Sequence, residues 1–456
     1  MSQNMQLLIG GVDYSQYLEQ STYYVTQNWS RQGDTATFYL TDEHADGALN
    51  VVVPALSTIE LIDNGLNQVI FSGLTTMPQL KYLGPNLASW QVDCVDWTYL
   101  TDRAPVQGDF RYLSADQIIK SLVTEANCGI TTNHVMPGPQ LPRIKIIYYD
   151  LTTALKKISN AASTSDKYGW YIDENHDLHW FNQLQAPASG VTFTDNPATL
   201  AALGPDGSGN PAVSGYDWQS YWYFWDGTAV HNQATVRGGT YSNSQTDYFV
   251  GNGSTTAFPL TYTPDSTVST AGLTLSVGGT SKTISVATGG SASTQWAITQ
   301  NAVGQWYLIT VTDPAPASGQ IIQLSYTYKA PVIARVQDNA SISRFSSLPN
   351  RGVFGVYIAD TALNDIRAAQ VRGLQEINTF SEPEERVQFT TTANWTGHVR
   401  AGQTCTFQNA VTPDSLRGNA PGINDTFLIT QVRINGQAGL YRTYYVTAVR
   451  ISTGSI

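Results

Sequence analysis

With 456 residues the chain is long enough for several domains, each burying its own core. Its formal net charge of −11, from 24 Lys and Arg against 35 Asp and Glu, gives a surface that repels phosphate backbones and excludes a nucleic-acid-binding regulator. Only 13% of residues are charged, whereas Gly, Thr, Ser, Asn and Gln are plentiful, a composition of polar-faced β-structure with many turns. The three cysteines, Cys94, Cys128 and Cys405, show no metal-ligand spacing and read as small core hydrophobes. The first residues carry no secretory pattern, and no run approaches the ~20 apolar residues of a membrane span, so synthesis and residence in a cytoplasm are expected.

Residues 1–105 alternate throughout. Short strands are expected at 5–9, 23–29, 35–40, 57–63, 69–74 and 90–97, with Asn64 and Gly65 turning a hairpin. Strands of this length and spacing suggest a closed or nearly closed barrel. The style changes after Tyr112. Residues 106–185 open with a helix that has Ser114 as N-cap and Gln117 in a capping box, presents Ile118, Ile119, Leu122 and Val123 inward, and ends at Gly129. A Pro-rich connector, MPGPQLPR, leads through a strand at 144–149 to a second helix capped by Asp150. The apolar stripe of that helix is Leu151, Ala154, Leu155, Ile158, Ala161 and Ala162. The following GWYIDENHDLHWF reads as a hairpin, with Trp170 and Ile172 on one strand and Leu178, Trp180 and Phe181 on the other. Two helices against a small sheet make an α+β module.

Residues 182–215 read as loop, broken by Pro187, Pro197, Gly204, Pro205, Gly207 and Gly209. Residues 186–239, read as a connector and the start of the second barrel region, hold GYDWQSYWYFW. Its Trp218, Tyr221, Trp222 and Trp225 could stack on a glycan or a single strand, but such rings are more often those of a buried strand or a subunit interface. Residues 240–331 are nearly uncharged and alternate at 273–277, 306–311 and 321–328, the pattern of an inserted β-sandwich. In residues 332–456, Asp360 is expected to cap a helix with the stripe Leu363, Ile366, Ala369, Val371, Leu374 and Ile377. Strands at 385–391, 404–408, 426–434 and 441–451 then build a second barrel. The expected fold class is mainly β with an α+β module: two tube-like β-barrel domains, a helix-hairpin domain and an inserted β-sandwich.

An enzyme needs convergent acids, bases, nucleophiles or metal ligands. His176 and His179, preceded by Asp173 and Glu174, straddle a turn and a strand, where positions three apart point to opposite faces. Asp93 and Asp96 flank Cys94 on an alternating strand and diverge likewise, and Glu382, Glu384 and Glu385 read as a solvated edge after a helix. The chain has no nucleophile elbow, HExxH pair, Walker loop or dinucleotide fingerprint. No catalytic, cofactor-binding or metal-binding residue is therefore assigned, and no cofactor is expected.

The order of these parts resembles the baseplate or tail-tip hub proteins of tailed bacteriophages. Three pieces carry the resemblance. GWYIDENHDLHWF is similar to the family's aromatic hairpin after a short helix, and IELIDNGLNQVIFSG with WQVDCVDWTYL is similar to its ring-forming domain. The closing series runs from TALNDIRAAQVRGLQEI through RAGQTCTFQNA to FLITQVRINGQAGLYRTYYVTAVRI, where residues 400–404 resemble a Pro-Gly-Gln approach to a strand with Ala401 in place of the proline. The resemblance covers the chain outside 240–330, where GNGSTTAFPLTYTP and TDPAPASGQIIQLSYTY look like the small β-modules of phage structural proteins.

The resemblance implies a homotrimer in which two tube-like barrels per chain form a pseudo-six-fold ring. Such a ring joins a distal tail or tail-tube protein to a central spike or fibre, with a tape-measure protein as a further partner, and genomic DNA passes through it without specific binding. An anionic wall fits that passage because it does not hold phosphate. The implied location is the virion, at the tail tip or baseplate, after assembly in the host cytoplasm, and the implied role is non-enzymatic. The alternative is a host-receptor or glycan-binding tail protein, acting through the aromatic stretch or the insert on a host surface glycan. A cell-wall hydrolase would need a paired-carboxylate or metal site, and a contractile-injection or gene-transfer particle would use the same part.

Overall fold

Alternation at the two ends of the chain produces strands of a single sheet. Leu87–Val95 is typical: Ala88, Trp90, Val92 and Cys94 are buried on one face, and the residues between them are half-exposed. The computed structural model describes residues 5–29, 33–44, 48–65, 67–163, 167–194, 220–265, 272–286, 294–361, 363–392, 399–414, 420–436 and 442–451, and its fold is mainly β. The chain divides into two units, one of Met1–Asn232, Asp338–Phe354 and Leu374–Ile456, the other of Gln233–Gln337 and Gly355–Gly373.

In the first unit a 13-stranded sheet runs, in pairing order, through Ser220–Asp226, Glu384–Thr392, Arg442–Arg450, Ala420–Gly436, Tyr24–Asn28, Thr35–Glu43, Leu87–Val95, Gln68–Gly84, Thr58–Asp63, Met5–Ile9 and Val12–Asp13. Thr404–Asp414 and Ala188–Thr194 branch from Ala420–Gly436. The barrels expected at the two ends of the chain are thus not two separate sheets. Ala420–Gly436 is 17 residues long, enough to pair with Thr404–Asp414, Arg442–Arg450 and Tyr24–Asn28. Val25, Phe38, Phe427, Val432 and Tyr444 consequently share one core. Among the described residues the end strands of the path do not pair, and no barrel closes within the chain. The expected loop 182–215 contains the strand Ala188–Thr194, parallel to Thr404–Asp414.

The helix Ala115–Ala126 starts on the expected capping box, with the Ser114 N–H donating to Gln117 Oε1 at 3.2 Å. It stops before Gly129, because Asn127 adopts the left-handed cap at φ 44°. The helix Leu151–Ala162 starts on Asp150, which accepts from the Thr153 N–H at 2.7 Å. Ile118, Leu122, Leu151, Leu155 and Ile158 pack with Trp170, Leu178 and Trp180 in a second core. Two further strands appear. Pro105–Ser114 pairs with Gln140–Asp150, taking up part of the expected connector, and Thr131–Val135 lies parallel to Asp177–Asn182. Pro105–Ser114 is mostly exposed and lacks the apolar alternation that announces a strand.

In the second unit Gln233–Val250 and Ile321–Gln337 pair antiparallel and anchor a five-stranded sheet with Thr274–Val277, Thr280–Lys282 and Gly355–Ala359. Ala257–Pro259, Trp306–Thr310, Trp296–Gln300 and Ile284–Val286 make a four-stranded sheet. Phe258, Trp296 and Leu308 of the smaller sheet share a core with Leu275, Ile322, Leu324 and Tyr326 of the larger. The helix expected from Asp360 begins later, as Ile366–Phe380. Asp365 accepts from the Arg367 N–H at 3.1 Å, while the Asp360 main chain is engaged by Arg237 and Leu363. No helix among the described residues is long and apolar enough to cross a membrane.

Candidate functional site at the hairpin joint

Tyr168–Ile172 and Asp177–Asn182 pair with Trp170 opposite Trp180 and Tyr171 opposite His179. The period of two sends Trp170, Ile172, Leu178 and Trp180 toward the helices and leaves Tyr171 and His179 on the other face. Thr131–Val135 sets His134 beside His179. A ladder of flat groups results. His134 lies on His179 with ring centroids 4.3 Å apart and planes 5° from parallel, His179 lies on Tyr171 at 4.6 Å and 10°, and the Arg400 guanidinium covers Tyr171 at 4.6 Å. Each imidazole has its own carboxylate: His134 Nδ1 is 2.6 Å from Asp177 Oδ2, and His179 Nε2 is 3.0 Å from Asp173 Oδ2. His176 diverges from His179 and places its ring edge-on to Trp97 at 3.9 Å.

His134, Asp177 and His179 bring ligand atoms within 4.8 Å of one another. A metal needs both imidazole lone pairs aimed at one point about 2 Å from each nitrogen, and lone pairs in parallel planes do not converge. The trio suits stacking rather than a metal centre. Sequence reasoning set His179 beside His176 and missed His134, which reaches it through a parallel pairing that no local pattern announces.

Arg400, just before the strand Thr404–Asp414, closes the joint. Its guanidinium donates to Glu174 Oε2 at 3.0 Å, to the Ile172 carbonyl at 3.1 Å and to Asp34 Oδ2 at 3.4 Å. The other Asp34 oxygen accepts from the Asn28 N–H at 2.8 Å. The Asp96 N–H donates to the Asp34 carbonyl at 3.0 Å, and the Asp96 carboxylate accepts from the Thr98 N–H at 3.0 Å and from the Thr98 hydroxyl. Asp34 and Asp96 are 5% and 4% exposed. Burial pushes the Asp34 carboxyl up to about 7 and that of Asp96 up to about 6; Arg400 pulls both back, and the Asp96 charge adds to the rise at Asp34. Burial also acts against Asp173, but hydrogen bonds from His179 and from the Asp177 and Asn175 amides win and hold it down to about 2. Gly402, at φ 92°, lets the main chain pass Tyr171, where a Cβ would stand 2.7 Å from the ring.

Paired carboxyls raised by burial are raw material for acid-base catalysis. Here the space beside them is a water-sized cavity lined by Asp34, Ser72, Asp96, Ile172, Glu174 and Arg400, with no room for a substrate. The cluster is equipped to hold a proton and to fasten the hairpin turn to the sheet.

The aromatic stretch lies elsewhere in the same unit. Trp218 is outside the described residues. Ser220–Asp226 is an end strand of the sheet, paired with Glu384–Thr392. Tyr221 and Tyr223 are half-buried against the core and bonded through their hydroxyls, Tyr221 to Asn409 at 3.2 Å and Tyr223 to Glu385 at 2.6 Å. Trp222 is 69% exposed and Trp225 43%, and alternation puts them on opposite faces, so these two rings form no single platform. The glutamates expected on a solvated edge are instead paired, Glu382 with Arg344, Glu384 with Lys167 and Arg386, and Glu385 with Arg450. Glu384 and Glu385 begin an interior strand, which is why they meet partners.

No protein-family model matches the sequence, and no curated protein matches it. Solved structures do. The chain is similar to the 43 kDa tail protein of prophage MuSo2 from Shewanella oneidensis at 11% identity, over 98% of both chains, with a TM-score of 0.55. It is similar to the tail protein from Neisseria meningitidis MC58 at 9% identity, over 98% of this chain and 96% of that one, with a TM-score of 0.53. From end to end, the chain has the fold of prophage tail proteins.

Proposed function

We infer that this chain is a structural, non-enzymatic hub of a phage tail tip or baseplate. The observation that carries the reading is the likeness of nearly the whole chain, insert included, to two prophage tail proteins. In this reading three copies assemble into a pseudo-six-fold ring. Each copy contributes tube-like halves from residues 1–105 and 332–456, joined in one sheet whose pairing path is open among the described residues. The openness supports assembly, because an end strand paired on one side only gains hydrogen bonds on its outer edge when copies meet. The ring joins a distal tail or tail-tube protein to a central spike or fibre, with the tape-measure protein inside the tail, and genomic DNA slides through. The excess of acidic residues supports passage without retention. The inserted β-sandwich, residues 240–331, is the part available to neighbouring proteins or to a host glycan. The protein belongs to the virion tail and is assembled in the host cytoplasm.

Light scattering of the purified chain, with cryo-microscopy class averages of the same sample, tests the reading. A particle of three times 49.7 kDa with a central hole is expected. A chain that is monomeric in solution and absent from the tips of purified tails, by immunogold labelling, would sink it. The exposure of Trp222 favours one second reading, a glycan-binding tail protein. Glycan-array binding that is lost in Trp222→Ala would support it.

A further inference from the structure

We propose that the turn at residues 173–177 is a proton-operated latch: a proton held by the Asp34 and Asp96 pair keeps the hairpin fastened to the sheet, and its loss frees the turn. Three carboxylates, Asp34, Asp96 and Glu174, gather around the Arg400 guanidinium beside one water-sized cavity. Two of the three are held in place by hydrogen bonds. Asp34 and Asp96 sit where strands Thr35–Glu43 and Leu87–Val95 meet, tied to each other by a main-chain hydrogen bond and to Asn28 and Thr98 by their side chains. Glu174 can move, because it stands on the turn with its side chain 35% exposed. The turn is itself strained, with His176 at φ 61°. The Thr131 N–H donates to the His176 carbonyl at 2.9 Å and Asp177 is bonded to Asn133 and His134, while toward the 13-stranded sheet the described contacts of the turn are the His176 ring against Trp97 and Glu174 on Arg400.

Several charged and titratable groups face the pair. From the hairpin come Asp173, Glu174 and Tyr171, with His179 behind Asp173 and His176 against Trp97. From the segment before Thr404 comes Arg400, and at the far end of the ladder lie His134 and Asp177. With one proton on the pair, two negative charges answer one guanidinium in a place poor in water. With both aspartates ionised, three charges compete for it, and the movable one leaves and admits water. The direction of the carboxyl shifts agrees. The closed state holds the proton more tightly than an opened, hydrated one, so closure is favoured at acid pH and weakens as the pair ionises. Asp173, held down to about 2, stays ionised throughout this range and does not drive the change.

Hydrogen exchange of the full-length chain between pH 5 and pH 9 tests the latch, with intrinsic exchange rates divided out and peptides of the helix Leu151–Ala162 as internal reference. Protection across the turn is expected to fall by about tenfold per pH unit through the acid half of the range and to level off above about pH 7, once the pair is ionised in the closed state as well. Asp96→Asn and Asp34→Asn should each flatten that fall. In case neither variant folds, the infrared band of a protonated buried carboxyl in the unaltered protein should vanish as the pH passes through the values at which the fall in protection levels off. A turn whose protection is independent of pH would overturn the proposal. So would a fall that persists in both asparagine variants, or one abolished only by His134→Gln or His179→Gln, which would assign it to the imidazole ladder.

Discussion

Arg400 and Arg450 each meet three carboxylates in the same unit of the chain, and the two clusters reach opposite settlements. Arg450 uses its whole fork: Nε and Nη2 donate to Asp425 at 2.8 and 2.7 Å, and Nη1 donates to Asp414 at 2.8 Å and Glu385 at 2.9 Å. Burial works against its charge, yet these acceptors raise its affinity for the proton well beyond the ordinary arginine value. Arg400 gives one donor to a carbonyl, reaches Asp34 only at 3.4 Å, and has no direct hydrogen bond with Asp96 among those described. Similar groups therefore make a fully bonded fastener in one place and a proton-binding cluster in the other. What separates them is whether each carboxylate receives its own short, well-aimed donor.

The sharpest way to break the comparison is Arg450→Met. It takes the shared cation away from Asp414 and Glu385 among buried strands, and a loss of about 3–5 kcal/mol is expected from urea unfolding. A loss no larger than that of Arg400→Met would erase the distinction. Arg400→Met should cost roughly 2 kcal/mol at pH 6, where Asp34 and Asp96 can neutralise themselves, and more as the pH rises. The same unfolding curves at pH 6 and pH 8 check the trend.

Asp96→Asn comes next. The folded carboxyl sits above its unfolded value, so its contribution is fully present below the ordinary carboxylate range and is lost as the pH rises through about 6. The variant should thus gain roughly 1 kcal/mol over the unaltered protein at pH 8 and little at pH 4. Thermal melts at the two values decide. Glu174→Gln should have the smallest effect, a few tenths of a kcal/mol, because its partly exposed side chain is screened by solvent. Its use is to loosen the turn, read by hydrogen exchange, without moving the melting temperature.

Much of the fold is legible in the sequence wherever local chemistry decides it. Ser114, Gln117 and Asp150 announce helix starts that the structure shows, and alternation at Met5–Ile9 gives that strand to the residue. Legibility fails where distant segments decide. Asp360 looks as good a cap as Asp365, and only the engagement of its main chain by Arg237 moves the helix start. Nothing around Tyr24–Asn28 says that its outer neighbour is Ala420–Gly436. The site suffers most, because its charges are paired across the chain. Asp34 and Arg400 are 366 positions apart, and either alone reads as a surface residue. The aromatic stretch was easy to see, yet its division between two faces follows from the strand register and separates Trp222 from Trp225.

The long strand Ala420–Gly436 also sets an order of events during synthesis. Tyr24–Asn28 pairs with Thr35–Glu43 on one side and with Ala420–Gly436 on the other. While the ribosome is still making the middle of the chain, the second side of Tyr24–Asn28 has no partner, although Val25 and its neighbours are already apolar core material. The nascent chain therefore carries an open β-edge for some 400 residues of elongation, on the order of 20–80 s at about 5–20 residues per second. A segment exposed that long is a natural client for chaperones, and aggregation from truncated products is expected to begin there.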